Sequence, residues 1–248
     1  MTKGIVRVGI GGWSYAPWRE TFYPDKLPQR RELEHASHCF GTLEINATFY
    51  GRQSPKSWEN WASTVPDGFQ FAIKGSRFCV TRTRLCEGAE GLGNFFAQGL
   101  SALGPKLGPI LWQFAPRRHF DRDDIAGFID LLPDAVDGLP LRHVIEPRHD
   151  SFDDPAFFAL CKARNIAVAF ADDDEFPCID VDTADFAYAR LQRMRSELET
   201  GYDAASLDAF AERARRWADG GRDAYIYMIN GAKERAPAAA LALQERLR

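Results

Sequence analysis

Pro109-Ile110-Leu111-Trp112-Gln113-Phe114, then Asp123 to Leu132, then Arg142-His143-Val144-Ile145-Glu146 is the stretch that decides the fold. Its outer runs are short, apolar and rich in β-branched or aromatic residues, while the middle run carries apolar residues at helical spacing. Strand, helix and strand in that order make a parallel pair joined by a right-handed crossover. The alternation continues in both directions. Ile5 to Ile10, Thr42 to Asn46 and Phe69 to Lys74 read as strands before this unit, and Ile166 to Ala171, Phe186 to Leu191 and Ala224 to Ile229 as strands after it, eight in all. Helical patterns at Pro28 to Ser37, Lys56 to Ser63, Gly91 to Ala102, Pro155 to Ala163 and Ala204 to Trp217 fill most of the remaining gaps. Ser54-Pro55 and Asp154-Pro155 each place a capping oxygen before a proline suited to a first helical turn. Eight such strands predict one α/β domain over residues 1–248, a closed (β/α)8 TIM-type barrel. Asp172 to Asp185 contains Pro177 and is too short for a full helix, so an outer helix is expected to be missing or shortened between strands six and seven.

Composition narrows the class. A chain of 248 residues, 45% hydrophobic, can bury a full core. Lys plus Arg number 31 against 35 Asp plus Glu, a net charge of -4, which argues against a nucleic-acid partner held by a global basic field. No apolar run reaches the length of a membrane span, and the start of the chain has no apolar leader, so a cytoplasmic protein is expected. Cys39, Cys79, Cys86, Cys161 and Cys178 are odd in number and contain no Cys-x-x-Cys pair, giving neither a disulfide framework nor a thiolate metal site. The Gly9-Ile10-Gly11-Gly12 turn lacks the third glycine of a dinucleotide fingerprint, and no cofactor is expected.

In a barrel the chemistry gathers where strands end, at the C-terminal face. Period-two alternation puts Glu44 and Asn46 on one face of the second strand, and Glu146 and Arg148 on one face of the fifth. Arg190 and Gln192 share a face on the seventh strand; Lys74, Gln113, Asp172 and Asn230 end the third, fourth, sixth and eighth. Glu44, Glu146 and Asp172 thus face Lys74, Arg148 and Arg190, a balanced set that can either pair internally or hold a ligand. Arginine forks suit phosphate or carboxylate oxygens, and carboxylates and amides suit hydroxyl or amine hydrogens, so a small anionic ligand is the expected partner. Glu44, Glu146 and Lys74 are the expected acid/base groups. Trp13 and Tyr15 after the first strand and Tyr50 after the second are expected to wall the pocket, with His149 beside it, whereas Trp18 and Phe22 are expected to pack. Replacing Arg190 with Met is expected to weaken anion binding without unfolding the barrel.

Rival chemistries have weaker support. His143 and Glu146 have opposite strand parity and cannot both point inward, and no metal site is expected. No Gly-x-Ser-x-Gly is present, and no cysteine ends a strand beside a histidine. An enzyme is the first reading, a non-catalytic ligand-binding or interaction protein the second, and a nuclease or repair function the third.

Gly11-Gly12-Trp13-Ser14-Tyr15, Glu44-Ile45-Asn46-Ala47-Thr48-Phe49-Tyr50 and Glu146-Pro147-Arg148-His149-Asp150-Ser151-Phe152 together resemble the YecE-like family, also called domain of unknown function 72. Phe71-Ala72-Ile73-Lys74, Leu107 to Phe114 and Tyr188-Ala189-Arg190-Leu191 extend the resemblance over nearly the whole chain. It implies a TIM-type barrel and supplies no reaction. Two departures stand out. The family's Arg-Leu-His-Gly is here Arg190-Leu191-Gln192-Arg193, and its Asn-Asn-Asp is here Asn230-Gly231-Ala232. The family's histidine and aspartate are thus both absent from these positions.

Overall fold

The computed structural model describes residues 3–248; Met1 and Thr2, where the expected domain begins, lie outside the described residues. Its main sheet has nine parallel strands: β1 (Val6–Gly11), β2 (Thr42–Ile45), β3 (Gln70–Lys74), β4 (Leu107–Gln113), β5 (His143–Glu146), β6 (Ala167–Val168), β7 (Phe170–Asp172), β8 (Phe186–Leu191) and β9 (Asp223–Met228). They run in the order β6-β5-β4-β3-β2-β1-β9-β8-β7. The two ends of that order are halves of the single sixth run, separated only by Ala169. β6 pairs with β5 through Val144↔Ala167, and β7 pairs with β8 through Arg190↔Ala171, so the interrupted run closes the barrel.

The interruption has a local cause. Thr183 donates its hydroxyl to the Ile166 carbonyl (2.7 Å) and accepts from the Val168 amide (3.1 Å), occupying the edge of β6 that would otherwise meet β8. It lies in the connection from β7 to β8, where no helix forms among the described residues, as the short Pro177 link implied.

Alternation sorts the strands into two cores. Ala72, Leu111, Val144, Ala167, Ala169, Phe186, Tyr188, Tyr225 and Tyr227 fill the barrel interior, while the larger apolar set packs between strands and helices. Bulky interior side chains need small neighbours. Gly9 supplies one, since a Cβ there would sit 1.9 Å from the Thr42 carbonyl oxygen. Across the same layer the Tyr227 and Thr42 hydroxyls lie 2.7 Å apart.

Outside the barrel, α1 (Glu32–Cys39), α2 (Pro55–Thr64), α3 (Arg122–Asp130), α4 (Pro155–Ala163) and α5 (Ala204–Ala218) match the helical patterns closely. Ser54 and Asp154 cap α2 and α4 by accepting from the amides of Ser57 and Ala156. One pattern was too long. Gly91 to Ala102 is not continuous, because the helix at Ala89–Phe96 stops before Gly99 (φ 99°) and 3₁₀ turns take over from Leu100 to Lys106. The C-terminal helix at Ala236–Leu247 lies beyond the last expected strand. Its alanine-rich sequence presents no clear stripe, yet Ala239, Ala240 and Leu243 are fully buried. No helix among the described residues is long and apolar enough to cross a membrane.

Candidate functional site

The inward faces of β2, β5 and β8 end in charged groups that meet on the barrel axis. Arg190 donates through Nε and Nη2 to the two oxygens of Glu44 (3.1 and 3.2 Å) and through Nη1 to Glu146 (2.6 Å). Tyr188, one turn of the pleat below, donates to Glu44 at 2.7 Å. Glu146 also accepts from Gln113 (2.9 Å) and Arg148 (3.0 Å). Glu44, Glu146 and Arg190 are at most 1% exposed.

Burial alone would lift the Glu146 carboxyl, but the Arg190, Arg148 and Lys74 cations outweigh it and hold the group below its ordinary value. Burial likewise opposes the Arg190 charge, and Glu146 and Glu44 overcome it, raising its pKa. Both oxygens of each glutamate accept from protein donors, an arrangement that fixes charge rather than offering a free acid or base.

Lys74, at the inward end of β3, is different. It is 8% exposed, and its Nζ makes no hydrogen bond or ion pair among the described residues; it lies over the Phe49 ring, 4.5 Å from the centroid. Desolvation, reinforced by the Arg190 cation, lowers its pKa to about 8 against the pull of Glu44 and Glu146. The side chain faces a cleft of about 440 Å³ lined by Gly12, Trp13, Asn46, Tyr50, Arg190, Asn230 and Lys233, among others. Trp13 is fixed as its wall by edge contact with Trp61, with ring centroids 5.5 Å apart. Tyr50 is largely exposed at the rim.

Four expected residues sit elsewhere. Tyr15 packs edge-on against Trp18 (5.4 Å) beneath the Lys233 ammonium instead of lining the cleft. His149 turns back to accept from the Ser151 amide, capping a short 3₁₀ turn, and lies against His119. Asp172 has outward parity, because Ala167, Ala169 and Ala171 take the inward positions on this run. It binds Arg193 and accepts from Tyr202 at 2.9 Å. Gln192 is buried on that same side, accepting from Asn230 at 2.6 Å while its own amide nitrogen has no partner. A second cavity, of about 770 Å³, opens there and shares Asn230 with the first. Trp18 and Phe22 do pack, the former fully buried and the latter stacked on Phe40.

Sequence reasoning missed Tyr188, Arg193 and Lys233. Tyr188 was legible, lying two residues before Arg190 on the same strand face. Lys233 has no periodic signal, since it follows the last strand in a 3₁₀ turn; the carbonyl of this residue accepts from the Trp18 indole (2.9 Å). His143 is buried outside the barrel, where desolvation lowers its pKa to about 4 and it bonds Trp112 and the Pro133 carbonyl. Among the described residues, no group of three or more His, Cys, Asp or Glu side chains is placed to hold a metal ion.

Comparison with known proteins places this geometry in a family. The family described as "Protein of unknown function DUF72" matches residues 7–248. UPF0759 protein YunF of Bacillus subtilis is 24% identical over 159 residues, which are 62% of this chain and 54% of that protein. UPF0759 protein YecE of Escherichia coli K12 is 27% identical over 124 residues, 44% of this chain and 43% of that one. The chain thus spans about half the length of these curated relatives. A crystal structure of a DUF72 family protein from Thermotoga maritima superposes with a TM-score of 0.79 at 22% identity, covering 98% of this chain and 99% of that one.

Proposed function

Because this chain belongs to the DUF72 family, whose description names no reaction, we propose a function from the site itself: an enzyme acting on a small polar anion by proton transfer at Lys74. The observation that carries this reading is the buried Lys74 amine, unpaired among the described residues and facing a cleft. With a pKa of about 8 it is roughly one-quarter neutral at pH 7.5, able to take a proton and return it. Lys233, Asn46 and Asn230 line the same space and offer donors to phosphate or carboxylate oxygens. Glu44 and Glu146, expected from sequence to be the acid and base, have their oxygens committed to Arg190, Tyr188, Gln113 and Arg148. In this reading they hold the frame and the field around Lys74.

A second reading, ligand binding without turnover, draws on the Gln192–Asn230 amide pair, which stands where the family resemblance expects a histidine. One experiment separates the two. The protein and its Lys74→Met variant are incubated in D₂O with pools of phosphorylated and carboxylated metabolites, and deuterium uptake and conversion are followed by mass spectrometry. Exchange or conversion by the wild type, lost in the variant, supports the enzyme. Equal conversion by both proteins overturns it, and retention of an anion without exchange favours the binding protein.

A further inference from the structure

We propose that Lys74 condenses with the carbonyl carbon of a small anionic aldehyde or ketone, forming a protonated imine while Lys233, Asn46 and Asn230 hold the anionic group. The inference rests on the anionic-substrate reading above and goes beyond proton transfer to a covalent step. Lys74 has no hydrogen-bonded partner among the described residues, so the nitrogen that can exchange protons is also open to attack a carbon electrophile in the cleft. The carboxylates on the interior floor are bound to Arg190 and Arg148. Its amine stands free in the cleft over the Phe49 ring, and desolvation beside another cation is a recognised way to activate a lysine nucleophile. At neutral pH a lysine of pKa about 8 carries roughly two- to three-hundredfold more free amine than an unperturbed lysine.

The step balances within the site. The neutral amine adds to the carbonyl carbon, forming the C–N bond, and the carbonyl π pair takes up a proton to give a carbinolamine. Loss of the hydroxyl as water forms C=N. Taken from the ammonium, the net change is carbonyl plus lysinium to iminium plus water, with no oxidant, reductant or added proton. The nitrogen keeps one positive charge, so Glu44 and Glu146 face the same field before and after. Trp13, Ile45 and Ile229 give the cleft an apolar wall against which a carbon skeleton can lie.

The test is reductive trapping of the full chain with glyoxylate, pyruvate and glyceraldehyde 3-phosphate in sodium cyanoborohydride at pH 7.5, followed by peptide mass spectrometry. Lys74 should label at least tenfold faster than the exposed Lys26, Lys56 and Lys162. Inorganic phosphate should slow that labelling, and Lys74→Arg, which keeps a cation at the site, should abolish the adduct there without changing the others. Labelling of the exposed lysines with Lys74 left unmodified by all three carbonyls overturns the imine proposal. Calorimetric titration with phosphate and pyruvate under the same conditions reads the underlying anion site by itself. Anion binding without trapping removes the covalent step alone, and absence of binding removes the reading on which it rests.

Discussion

Arg190 and Lys74 are both cations at inward strand ends on the barrel mouth, yet they have opposite surroundings. Arg190 is enclosed by two carboxylates that take three of its N–H groups, while Lys74 is nearly as buried with no carboxylate in contact among the described residues. A planar guanidinium can bridge two acids at once, and a lysine ammonium on β3 gets what remains of their field after Arg190 has taken the short contacts. Arg190 is therefore held charged, and Lys74 is brought towards neutrality. Fixed charge and available amine lie side by side, a combination suited to a reacting site.

The strongest challenge to this contrast is Arg190→Met. Removing the arginine leaves Glu44 and Glu146 buried without their shared counterion, so the expected outcome is destabilisation of about 3 to 5 kcal/mol, read by denaturant unfolding. The geometry thus revises the expectation that this substitution acts on binding with the fold intact. A variant as stable as the wild type would mean that the network does not bind its charges as described.

Lys74→Met should do the reverse. It removes a desolvated cation without orphaning a contact partner, so stability is kept or increased. Sulfate affinity, read by calorimetry, should fall by about 1.5 to 3 kcal/mol, the range for a hydrogen bond to a charged group, because an anion held by Lys233, Asn46 and Asn230 also loses the Lys74 ammonium that faces the same cleft. Loss of stability with unchanged affinity would place Lys74 in the frame with Arg190.

The pH dependence sharpens the distinction. Between pH 8 and the ordinary lysine value of 10.5 the unfolded chain holds a proton on Lys74 that the folded chain has released, so this group makes stability rise with pH through that window. Its burial penalty is full below pH 8, and the stability advantage of Lys74→Met should shrink as pH rises from 8 to 10.5. Sulfate keeps its charge throughout, so its affinity for the wild type should fall as the pH passes about 8. Lys74→Arg should bind with little change until Lys233, whose pKa burial also lowers, loses its proton. The fixed charges facing Lys74 are Arg190, Arg148, Glu44 and Glu146. Identical profiles for the two proteins would assign the titration to another group.

Much of this was legible before any coordinates. Alternation along β2, β5 and β8 puts Glu44, Glu146 and Arg190 inside, and eight apolar runs with helical spacers predict a closed parallel barrel. Pairing was not legible, because it depends on side-chain reach across the barrel, and nothing local says that Arg190 reaches both glutamates while Lys74 reaches neither. Asp172 was misplaced by giving its position at the strand end priority over its parity: Ala167 and Ala169 fill the barrel interior, and Ala171, in register with Arg190, continues that inward face. Lys233 lies in a turn with no period to read.

The smallest expected effect is at the rim. Asp172 and Arg193 also form an ion pair, and by proximity in sequence to Arg190 they could be assigned to the same site. Arg193, however, is half-exposed, shares its guanidinium with Asp174, and lines the larger cavity on the β7–β8 side instead of the Lys74 cleft. Asp172 itself is buried, but the Arg193 end of the pair is screened by solvent, and Tyr202 still donates to Asp172 when the arginine is gone. Arg193→Gln should therefore cost no more than about 1 kcal/mol of unfolding free energy and leave sulfate affinity and the Lys74 trapping rate unchanged. A tenfold loss of affinity in this variant would join the two cavities, which share Asn230, into one binding surface. The contrast would then lie between the floor of the mouth and its whole rim, and Lys74 would be one cation among several on that rim.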